Sequence, residues 1–413
     1  MYVINIGQLH ICLPQDVTRL SGHDMATAAT ISDAWLSVSA DGTIEQIGPM
    51  VSFDFSLSSQ HEIIDARGGY VLPAFCDSHT HIVYSGTRDG EFLDKINGLS
   101  YEEIAKRGGG ILNSADRLHD TSEDELFRQS LERAREMMAK GTGALEIKSG
   151  YGLNTADELK MLRVAARIRE SIPADVKITF LGAHAVGRAF VGRQTDYVDM
   201  LISEMLPAVA ADGLAEYVDV FCDKGFFTVD ETDRILEAAA KYGMLPKIHA
   251  NELDCSGGVQ IGVKHNALSV DHLERMGKDE IDVLRTSNTV ATMLPGASFF
   301  LGMPYAPARQ AIDAGLTVAL ASDYNPGSSP SGDMRMVWAL ACIKMKLTPA
   351  EALAACTING AAAMGLSDVV GAITPGRRAS FIITKPMPSL AFIPYAYTTP
   401  WIGSIYLRGK IVK

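Results

Sequence analysis

Two histidines, His79 and His81, lie one residue apart at the end of the apolar run VLPAFCDSHTH, residues 71–81. In an extended strand, residues i and i+2 point to the same side and lie roughly 6 to 7 Å apart, so both imidazoles could bind one metal ion. The pair alone is a weak signal, because most histidines in proteins only form hydrogen bonds. A structural polar pair where a strand meets a loop therefore remains an alternative to a metal site.

Two further residues of metal-binding type end later apolar runs of the chain. His249 lies at the end of the fifth such run, LPKIHA, and Asp323 ends the eighth run, LTVALASD. Three imidazoles and one carboxylate make a ligand set that suits Zn²⁺, and iron or manganese would also be accepted. The placement of histidines supports this hypothesis, because five of the ten end predicted strands. These five are His79, His81, His184, His249 and His272.

Hydrolysis at such a metal would need a group that moves protons. A bound ion lowers the pKa of water to roughly 7 and polarises a carbonyl under attack. Glu252, in KIHANEL, is expected one helical turn beyond His249, and His272 closes the sixth run. Either side chain could transfer protons or orient the water. The alternative for Glu252 is a favourable charge at a helix N-terminus.

Eight apolar runs, separated by segments of helical character, position these residues. The runs are YVLPAFCDSHTH, GALEIKSG, VKITFLGAHA, YVDVFCD, LPKIHA, ALSVDH, TVATMLP and LTVALASD. Residues 123–141 are typical of the helical segments, with Leu126, Ala134 and Met138 near one face. Strands that alternate with helices predict parallel βα units, and eight of them predict an α/β fold with a (β/α)8 TIM-like barrel. The polar ends of the runs would then gather where barrel enzymes have their active sites.

Strand-like segments at both ends of the chain predict a second, smaller unit. MYVINIGQLHICL and AWLSVSADGTIEQIG near the N-terminus, and ASFIITK and GSIYLRGKIVK near the C-terminus, have the composition of strands. We expect them to form one small β-sandwich domain from residues 1–68 and 369–413, beside a barrel of residues 69–368. A chain of 413 residues, 47% of them hydrophobic, has enough apolar material for both units.

Composition excludes several classes of function. The formal net charge of -12 and the lack of clustered Lys and Arg argue against a nucleic-acid partner. The six cysteines show no Cys-x-x-Cys spacing, which argues against a zinc knuckle or a disulfide framework and favours a reducing compartment. No apolar stretch reaches the roughly 18 residues of a membrane helix, and no signal peptide is evident. We therefore expect a cytoplasmic protein that does not bind membranes.

Ten segments, in order along the barrel region, carry a family resemblance. They are DSHTH, SYEEIAKRGGGI, EIKSGYGL, ELKMLRVA, FLGAHAV, DVFCDKGFFT, HANEL, SVDHLE, TMLPGASFFLG and ASDYNPGSSPS. Together they resemble the imidazolonepropionase family of the metal-dependent amidohydrolase superfamily. The resemblance implies hydrolysis of the ring amide of 4-imidazolone-5-propanoate to N-formimidoyl-L-glutamate, the third step of histidine degradation. It also implies a homodimer.

The resemblance further implies one divalent zinc or iron ion per subunit. The implied ligands are His79, His81, His249 and Asp323. Relatives with two metals use a bridging lysine or glutamate at the end of strand four, where this chain has DVFCD, and Lys148 ends strand two instead. One ion is therefore expected. Proton transfer and stabilisation of the developing oxyanion are expected from Glu252, His272 and Asp323, and the sequence does not divide these roles among them.

The resemblance also places a carboxylate-binding group near the metal. The substrate is a small anion, and Arg88, seven residues after His81, matches the arginine that binds its propionate. Tyr151 and His184 match positions that contact the ring and the formimidoyl group, and both could donate hydrogen bonds. The turn after Asp323 matches further substrate contacts, namely Asn325, Gly327 and Ser328. Exposed N–H groups in this turn, just before a predicted helix, would form an anion site.

Structural alternatives exist for these substrate contacts, and the chain departs from the family pattern at two places. Arg88 could be a surface arginine, and the turn could be a plain helix cap. Gly187 and Arg188 stand where the family usually has a proline and an acidic residue, so the third loop need not follow the family's shape. Near the C-terminus, Ser380 stands where the family commonly has an aspartate, which concerns the small domain.

Two rival functions remain at this point. Another cyclic-amide hydrolase or a heterocycle deaminase could use the same metal ligands, and a catalytically silent barrel scaffold is a rival from a different class. Arg88 and the turn 325–328 favour a substrate with a carboxylate tail over a neutral base. The segment KRGGGI, residues 106–111, lacks the spacing of a phosphate-binding loop and is expected to be a loop near the barrel mouth.

Overall fold

The computed structural model describes residues 1–99, 103 and 110–413, so most of the segment KRGGGI lies outside the described residues. The strands form two sheets, an eight-stranded parallel barrel sheet (β6 to β13) and a sheet built from both ends of the chain. In chain order the strands are Tyr2–Leu9 (β1), Ile31–Val38 (β2), Ile44–Pro49 (β3), Ile63–Asp65 (β4), Tyr70–Pro73 (β5), Phe75–Asp77 (β6), Thr142–Lys148 (β7), Asp175–Ala183 (β8), Tyr217–Cys222 (β9), Leu245–Ala250 (β10), Ser269–His272 (β11), Val290–Met293 (β12), Val318–Leu320 (β13), Phe381–Thr384 (β14), Ile402–Leu407 (β15) and Lys410–Ile411 (β16).

The helices mostly lie between successive barrel strands, as the alternation in the sequence predicts. They are Asp89–Ile96 (α1), Ile111–Asp120 (α2), Glu123–Ala139 (α3), Thr155–Ser171 (α4), Gln194–Met200 (α5), Leu206–Ala211 (α6), Val229–Ala240 (α7), Gly258–Lys264 (α8), Lys278–Leu284 (α9), Pro295–Leu301 (α10), Ala308–Asp313 (α11), Met334–Met345 (α12), Pro349–Cys356 (α13), Ile358–Ala362 (α14) and Phe392–Tyr395 (α15). Among the residues described, none of these helices combines the length and the apolar character needed to span a membrane.

Helix α3 shows how the local sequence sets its boundaries. The Ser122 hydroxyl accepts the N–H of Glu125, which caps the first turn of the helix. Leu126, Ala134 and Met138 are buried along one face, as their spacing predicts. The helix predicted over residues 123–141 is confirmed, and it ends at Ala139.

Each predicted apolar run contributes one barrel strand, and the (β/α)8 barrel is confirmed. The seam between the first and last strands is closed just beyond their ends, where Thr80 and Tyr324 pair in parallel. The His81 N–H donates to the Tyr324 carbonyl at 2.9 Å, and the Asp323 N–H donates to the His79 carbonyl at 3.0 Å. Three predicted metal ligands therefore lie on the two segments that close the barrel.

The first barrel strand is shorter than the run 71–81 predicts. Tyr70–Pro73 pairs with β1 and β14 in the terminal sheet, and Val71 is buried in the core of that sheet and not in the barrel. The barrel strand itself covers only Phe75–Asp77. His79 and His81 lie beyond it, so the expectation that they occupy a strand is wrong. The segment is instead aligned with the residues after β13, because Thr80 pairs in parallel with Tyr324.

The terminal sheet is mixed and joins the two ends of the chain. Its order is β16-β15-β14-β5-β1-β2-β3, and β4 pairs with the start of β1. Val3, Ile6, Leu36 and Phe381 are buried in its core, which has its own cluster of apolar side chains. A small unit built from both termini is thus present, while the division into residues 1–68 with 369–413 and residues 69–368 stays a prediction.

Candidate active site

The predicted metal ligands converge at the carboxyl-terminal face of the barrel. The Nε2 atom of His81 lies 3.2 Å from Nε2 of His79 and 3.4 Å from Nε2 of His249. Asp323 Oδ1 lies 3.6 Å from Nε2 of both His79 and His81. All four side chains are buried. Three imidazole nitrogens and one carboxylate oxygen that face one another over such distances form a donor set suited to a single divalent ion.

The protonation state of the histidines also suits metal binding, which requires neutral imidazoles. Burial lowers the pKa of His79 and His81 well below the usual range, and it lowers the pKa of His249 to about 3. Burial raises the pKa of Asp323 to about 7, although the neighbouring His272 opposes the rise. A cation among these groups would favour the carboxylate form of Asp323, since an opposite charge stabilises the ionised state.

Two buried carboxylates lie next to the outer nitrogens of two of these histidines. Asp271 Oδ2 accepts a hydrogen bond from His79 Nδ1 at 2.6 Å, and Asp219 Oδ2 lies 2.9 Å from His249 Nδ1. Such carboxylate partners place the proton on Nδ1 and leave the Nε2 lone pair for the metal. The residues present therefore fit a metal centre both in their ligand types and in the groups that orient them.

A layer of buried charge lies directly beneath the site, and sequence reasoning missed it. Lys148 Nζ donates to Glu146 Oε1 and to Asp219 Oδ2, each at 2.8 Å. Lys247 Nζ donates to Glu146 Oε2 at 2.7 Å and lies 3.7 Å from Asp271 Oδ2. All five side chains are fully buried. We call these five residues the charged layer. Charged residues inside otherwise apolar strand runs were the available signal, because such residues are rarely buried unless paired.

Glu252 and His272, the predicted proton-transfer residues, lie side by side at the same mouth. His272 Nε2 is 3.6 Å from Glu252 Oε2, and His272 Nδ1 is 3.6 Å from Glu274 Oε2. Burial raises the pKa of Glu252 to about 7. Burial alone would lower the pKa of His272, but Glu252 and Glu274 outweigh it and raise the pKa to about 10. Glu274, which accepts a hydrogen bond from Ser298, was not predicted from the sequence.

The local backbone around Glu252 differs from the prediction. Residues 251–256 form bends and coil between β10 and α8, so Glu252 does not lie one helical turn beyond His249. It is also not an N-terminal helix charge, because α8 begins only at Gly258. The turn starts at Asn251, whose φ of 55° is left-handed, a conformation that Asn tolerates better than most residues.

Arg88 lies at the rim of a cavity of about 470 Å³ that opens onto the ligands. Its Nε and Nη2 atoms donate to Glu91 Oε2 at 2.9 and 2.6 Å. Gly327 packs against the guanidinium so closely that a Cβ atom there would lie 2.3 Å from Arg88 Nη1. All predicted site residues except His79 line this cavity. They are His81, Arg88, Tyr151, His184, His249, Glu252, His272, Asp323, Asn325, Gly327 and Ser328.

The turn after Asp323 does not offer the free N–H groups that were expected of it. Asn325 Oδ1 accepts the N–H groups of Gly327 and Ser328, both at 2.8 Å. Asn325 Nδ2 donates to the Asp323 carbonyl at 2.7 Å, so the side chain organises its own turn. The following helix begins at Met334, too far along the chain for the turn to be its cap. Both the anion site formed by N–H groups and the plain helix cap are therefore wrong.

Tyr151 and His184 form one wall of the cavity. The His184 ring stacks on His81 with centroids 5.3 Å apart, and its Nδ1–H donates to the Gly150 carbonyl at 2.9 Å. Burial lowers the pKa of His184 to about 4, so the neutral ring offers Nε2 as a hydrogen-bond acceptor. The expectation that His184 donates to the substrate does not fit this arrangement. The Tyr151 ring lies 5.3 Å from that of His184.

The third loop has a local reason for its departure from the family pattern. A Cβ atom at Gly187 would lie 2.5 Å from the Leu153 carbonyl oxygen, so the glycine permits close contact between the second and third loops. Arg188 extends outward and pairs with Asp116 of α2 at 2.7 Å. Neither residue displaces His184 from the cavity.

Sequence comparisons relate this chain to known proteins over most or all of its length. Residues 70–412 match the model of the amidohydrolase family. The chain is 52% identical to the imidazolonepropionase of Christiangramia forsetii over 412 residues, which covers 100% of both chains. It is 50% identical to the imidazolonepropionase of Flavobacterium johnsoniae over 413 residues, which covers 99% of this chain and 98% of the relative.

Solved structures with low sequence identity share the fold. E. coli guanine deaminase is 16% identical with a TM-score of 0.75, covering 100% of this chain and 98% of the deaminase. A triazine hydrolase variant is 15% identical with a TM-score of 0.76, covering 100% of this chain and 94% of the hydrolase. These two likenesses show the architecture alone. The full-length sequence identities to the two relatives show more than the architecture: the chain belongs to the imidazolonepropionase branch of the amidohydrolase family.

Proposed function

We propose that this hydrolase opens the ring of 4-imidazolone-5-propanoate to give N-formimidoyl-L-glutamate, the third step of histidine degradation. The observation that carries the proposal is one cavity that combines three of the four metal-ligand side chains, His81, His249 and Asp323, with Arg88. A small heterocycle with a carboxylate tail needs both features, a hydrolytic centre for the ring and a cation for the tail. The full-length identity to relatives named imidazolonepropionase supports the same substrate.

The proposal includes one divalent zinc or iron ion, which His79, His81, His249 and Asp323 would hold. When bound, such an ion supplies Lewis acidity that activates water and polarises the carbonyl. A single ion is supported by Asp223, the carboxylate nearest the end of β9. Its oxygens accept hydrogen bonds from the N–H groups of Glu252, Leu253 and Asp254, and so face the neighbouring loop.

The side chains around the ligands divide the remaining tasks. Arg88, held by Glu91, binds the propionate, and the neutral His184 accepts a hydrogen bond from a ring N–H. Water adds to the ring carbonyl, the carbon–nitrogen bond breaks, and the departing nitrogen receives a proton. Glu252 and His272 stand where they can carry that proton, and a carboxyl group with a pKa of about 7 can both give and take one near neutral pH.

A direct assay tests the substrate. The purified protein, with its metal content measured, is incubated with 4-imidazolone-5-propanoate, and loss of the ultraviolet absorbance of the ring is followed. His249→Ala serves as the matched control, because it removes one ligand and leaves Arg88 in place. Turnover that depends on His249 supports the proposal. If the protein holds near-stoichiometric metal and deaminates a neutral heterocycle instead, the deaminase alternative is correct. A metal-free, inactive protein would favour the scaffold.

The proposal extends to the setting in which the enzyme works. The family resemblance supports a homodimer in the cytoplasm, and the scattered cysteines suit a reducing compartment. Light scattering of the purified protein at several concentrations measures the oligomeric state. A monomer at micromolar concentration would reject the homodimer without affecting the proposed reaction.

A further inference from the structure

We infer that Asp223 is the positioning residue that fixes Glu252 in the active site, by clamping the segment of residues 252–256 that follows strand β10. The inference rests on the proposed function for the role of Glu252, and it adds a residue for which the sequence offered no role. Asp223 touches neither the predicted ligands nor Arg88 through the hydrogen bonds described for it. Asp223 affects the reaction by holding the backbone of Glu252 in position.

The Asp223 carboxylate binds this segment with both oxygens. Oδ2 accepts the N–H groups of Glu252 at 2.8 Å and Leu253 at 2.9 Å. Oδ1 accepts the N–H of Asp254 at 3.1 Å and the hydroxyl of Ser256 at 2.7 Å. It also accepts the N–H of Lys224 at 2.7 Å, which anchors the carboxylate to its own loop. One buried carboxylate thus joins the loop after β9 to the loop after β10.

The segment needs such an anchor because it has no regular secondary structure of its own. Residues 251–256 are bends and coil between β10 and α8. Within the described chain, Asp223 is the acceptor found for the N–H groups of Glu252, Leu253 and Asp254. The N–H of Glu252 is buried, and a buried N–H group without an acceptor is costly. A carboxylate acceptor binds it more strongly than a carbonyl does.

The geometry of Glu252 depends on this anchor. Its backbone N–H is bonded to Asp223, while its carboxylate lies 3.6 Å from His272 Nε2 on the cavity side. The preceding Asn251 has a left-handed φ of 55°, which turns the chain out of β10 toward Asp223. A misplacement of about 1 Å in a proton-transfer group can lower a rate about 100-fold. The clamp therefore determines how well Glu252 reaches the substrate.

The decisive variant is Asp223→Asn, which keeps the shape but turns one acceptor oxygen into a donor NH₂. The new NH₂ group then faces either the N–H groups of Glu252 and Leu253 or the N–H of Asp254 and the hydroxyl of Ser256. We expect kcat to fall about 10- to 100-fold with KM changed by no more than about 3-fold. In the background of Glu252→Gln, adding Asp223→Asn should lower kcat by no more than about 2-fold further, since residues that act as a unit are not additive. If the double variant instead loses kcat by the product of the two separate factors, the inference is overturned.

A second measurement does not use the substrate at all. Amide hydrogen exchange at residues 252–254 should accelerate at least about 10-fold in Asp223→Asn, while strand β10 and the metal content stay as in the unaltered protein. Unchanged exchange at these amides would overturn the clamp. Absence of turnover by the unaltered protein would instead reject the proposed function, and the exchange result would still stand on its own.

Two further variants complete the experiment. Asp254→Asn is the matched control, because it makes the same chemical change in the same segment at an exposed side chain paired with Lys224. It should leave kcat and the exchange of residues 252–254 unchanged. If Asp223→Asn does not fold, Ser256→Ala removes only one of the bonds to Asp223. It should accelerate the same exchange and lower kcat about 3-fold, and no change in either would reject the clamp.

Discussion

A methyl group at residue 327 should weaken substrate binding without harming the fold. In Gly327→Ala the new Cβ would lie 2.3 Å from Arg88 Nη1 and 2.9 Å from Cζ. Carbon contacts are favourable only near 3.5 Å and beyond, so the guanidinium must retreat by about 1 Å. That movement disturbs its bonds of 2.6 and 2.9 Å to Glu91 and takes it away from the position that receives the substrate's carboxylate.

The size of the effect follows from the bond that is lost. A hydrogen bond to a charged group is worth about 1.5 to 3 kcal/mol. Each 1.4 kcal/mol changes an affinity tenfold, so KM should rise about 10- to 150-fold. Turnover at saturation should fall by no more than about 3-fold, since the three atoms nearest the new Cβ all belong to Arg88 and not to a predicted ligand or Glu252. The backbone of Gly327 is ordinary, and the clash is with the end of a flexible side chain, so stability should change by less than about 1 kcal/mol.

Steady-state kinetics with 4-imidazolone-5-propanoate and thermal unfolding measure the two quantities. Gly90→Ala is the control, because Gly90 lies two residues after Arg88 in the sequence, yet a Cβ there meets nothing within 4 Å. It should leave both KM and stability near those of the unaltered protein. A folded Gly327→Ala protein with unchanged KM would refute the assignment of Arg88 to the propionate. A loss confined to kcat would refute the separation of binding from chemistry.

Three other predictions follow from the site and the fold. Glu252→Gln and His272→Asn should each lower kcat about 100-fold or more, and Glu252→Gln should remove an inflection of the pH–rate profile near pH 7; near-normal turnover in both would contradict their roles. His249→Ala, or chelation of the unaltered protein, should remove the metal and the activity together, and only the chelated protein should recover with added Zn²⁺ or Fe²⁺. Burial lowers the pKa of His10 from 6.5 to about 4, so between these pH values the unfolded chain binds a proton that the folded chain does not. Stability should therefore fall as the pH drops from 6.5 to 4, by at most about 3 kcal/mol, and urea unfolding of His10→Gln should lack this contribution.

The sequence predicted best where chemistry depends on residue type. Eight apolar runs predicted the barrel, and the histidines and the aspartate at their ends predicted side chains that meet at one face, because a parallel barrel brings strand ends together there. Prediction from the sequence failed where the environment of a strand depends on partners that are distant in the chain. Nothing near Tyr70–Pro73 shows that β14, over 300 residues later, will draw this strand into the terminal sheet. The anion site predicted in the turn after Asp323 failed for a local reason, because the Asn325 side chain binds the N–H groups of Gly327 and Ser328.

The carboxylates that orient the site were also missed, because their partners are distant in the chain. Asp219 and Asp271 lie within short apolar strands, and their partners come from strands that are far apart in sequence. The sequence offered no role for Asp223, whereas in the structure it accepts hydrogen bonds from the segment that carries Glu252. Side-chain spacing predicts which face a residue occupies, but it does not predict which oppositely charged group will meet it there.

The charged layer also constrains how the barrel can assemble. Its members lie on β7, β9, β10 and β11, so its complete set of ion pairs cannot form until these four strands have come together. Burying either lysine before its carboxylates arrive would cost several kcal/mol. The interior of the barrel should therefore exclude water in one late, cooperative step, and a fragment that lacks β11 should remain open and hydrated. The residues that orient the metal ligands would thus also make closure of the barrel all-or-none.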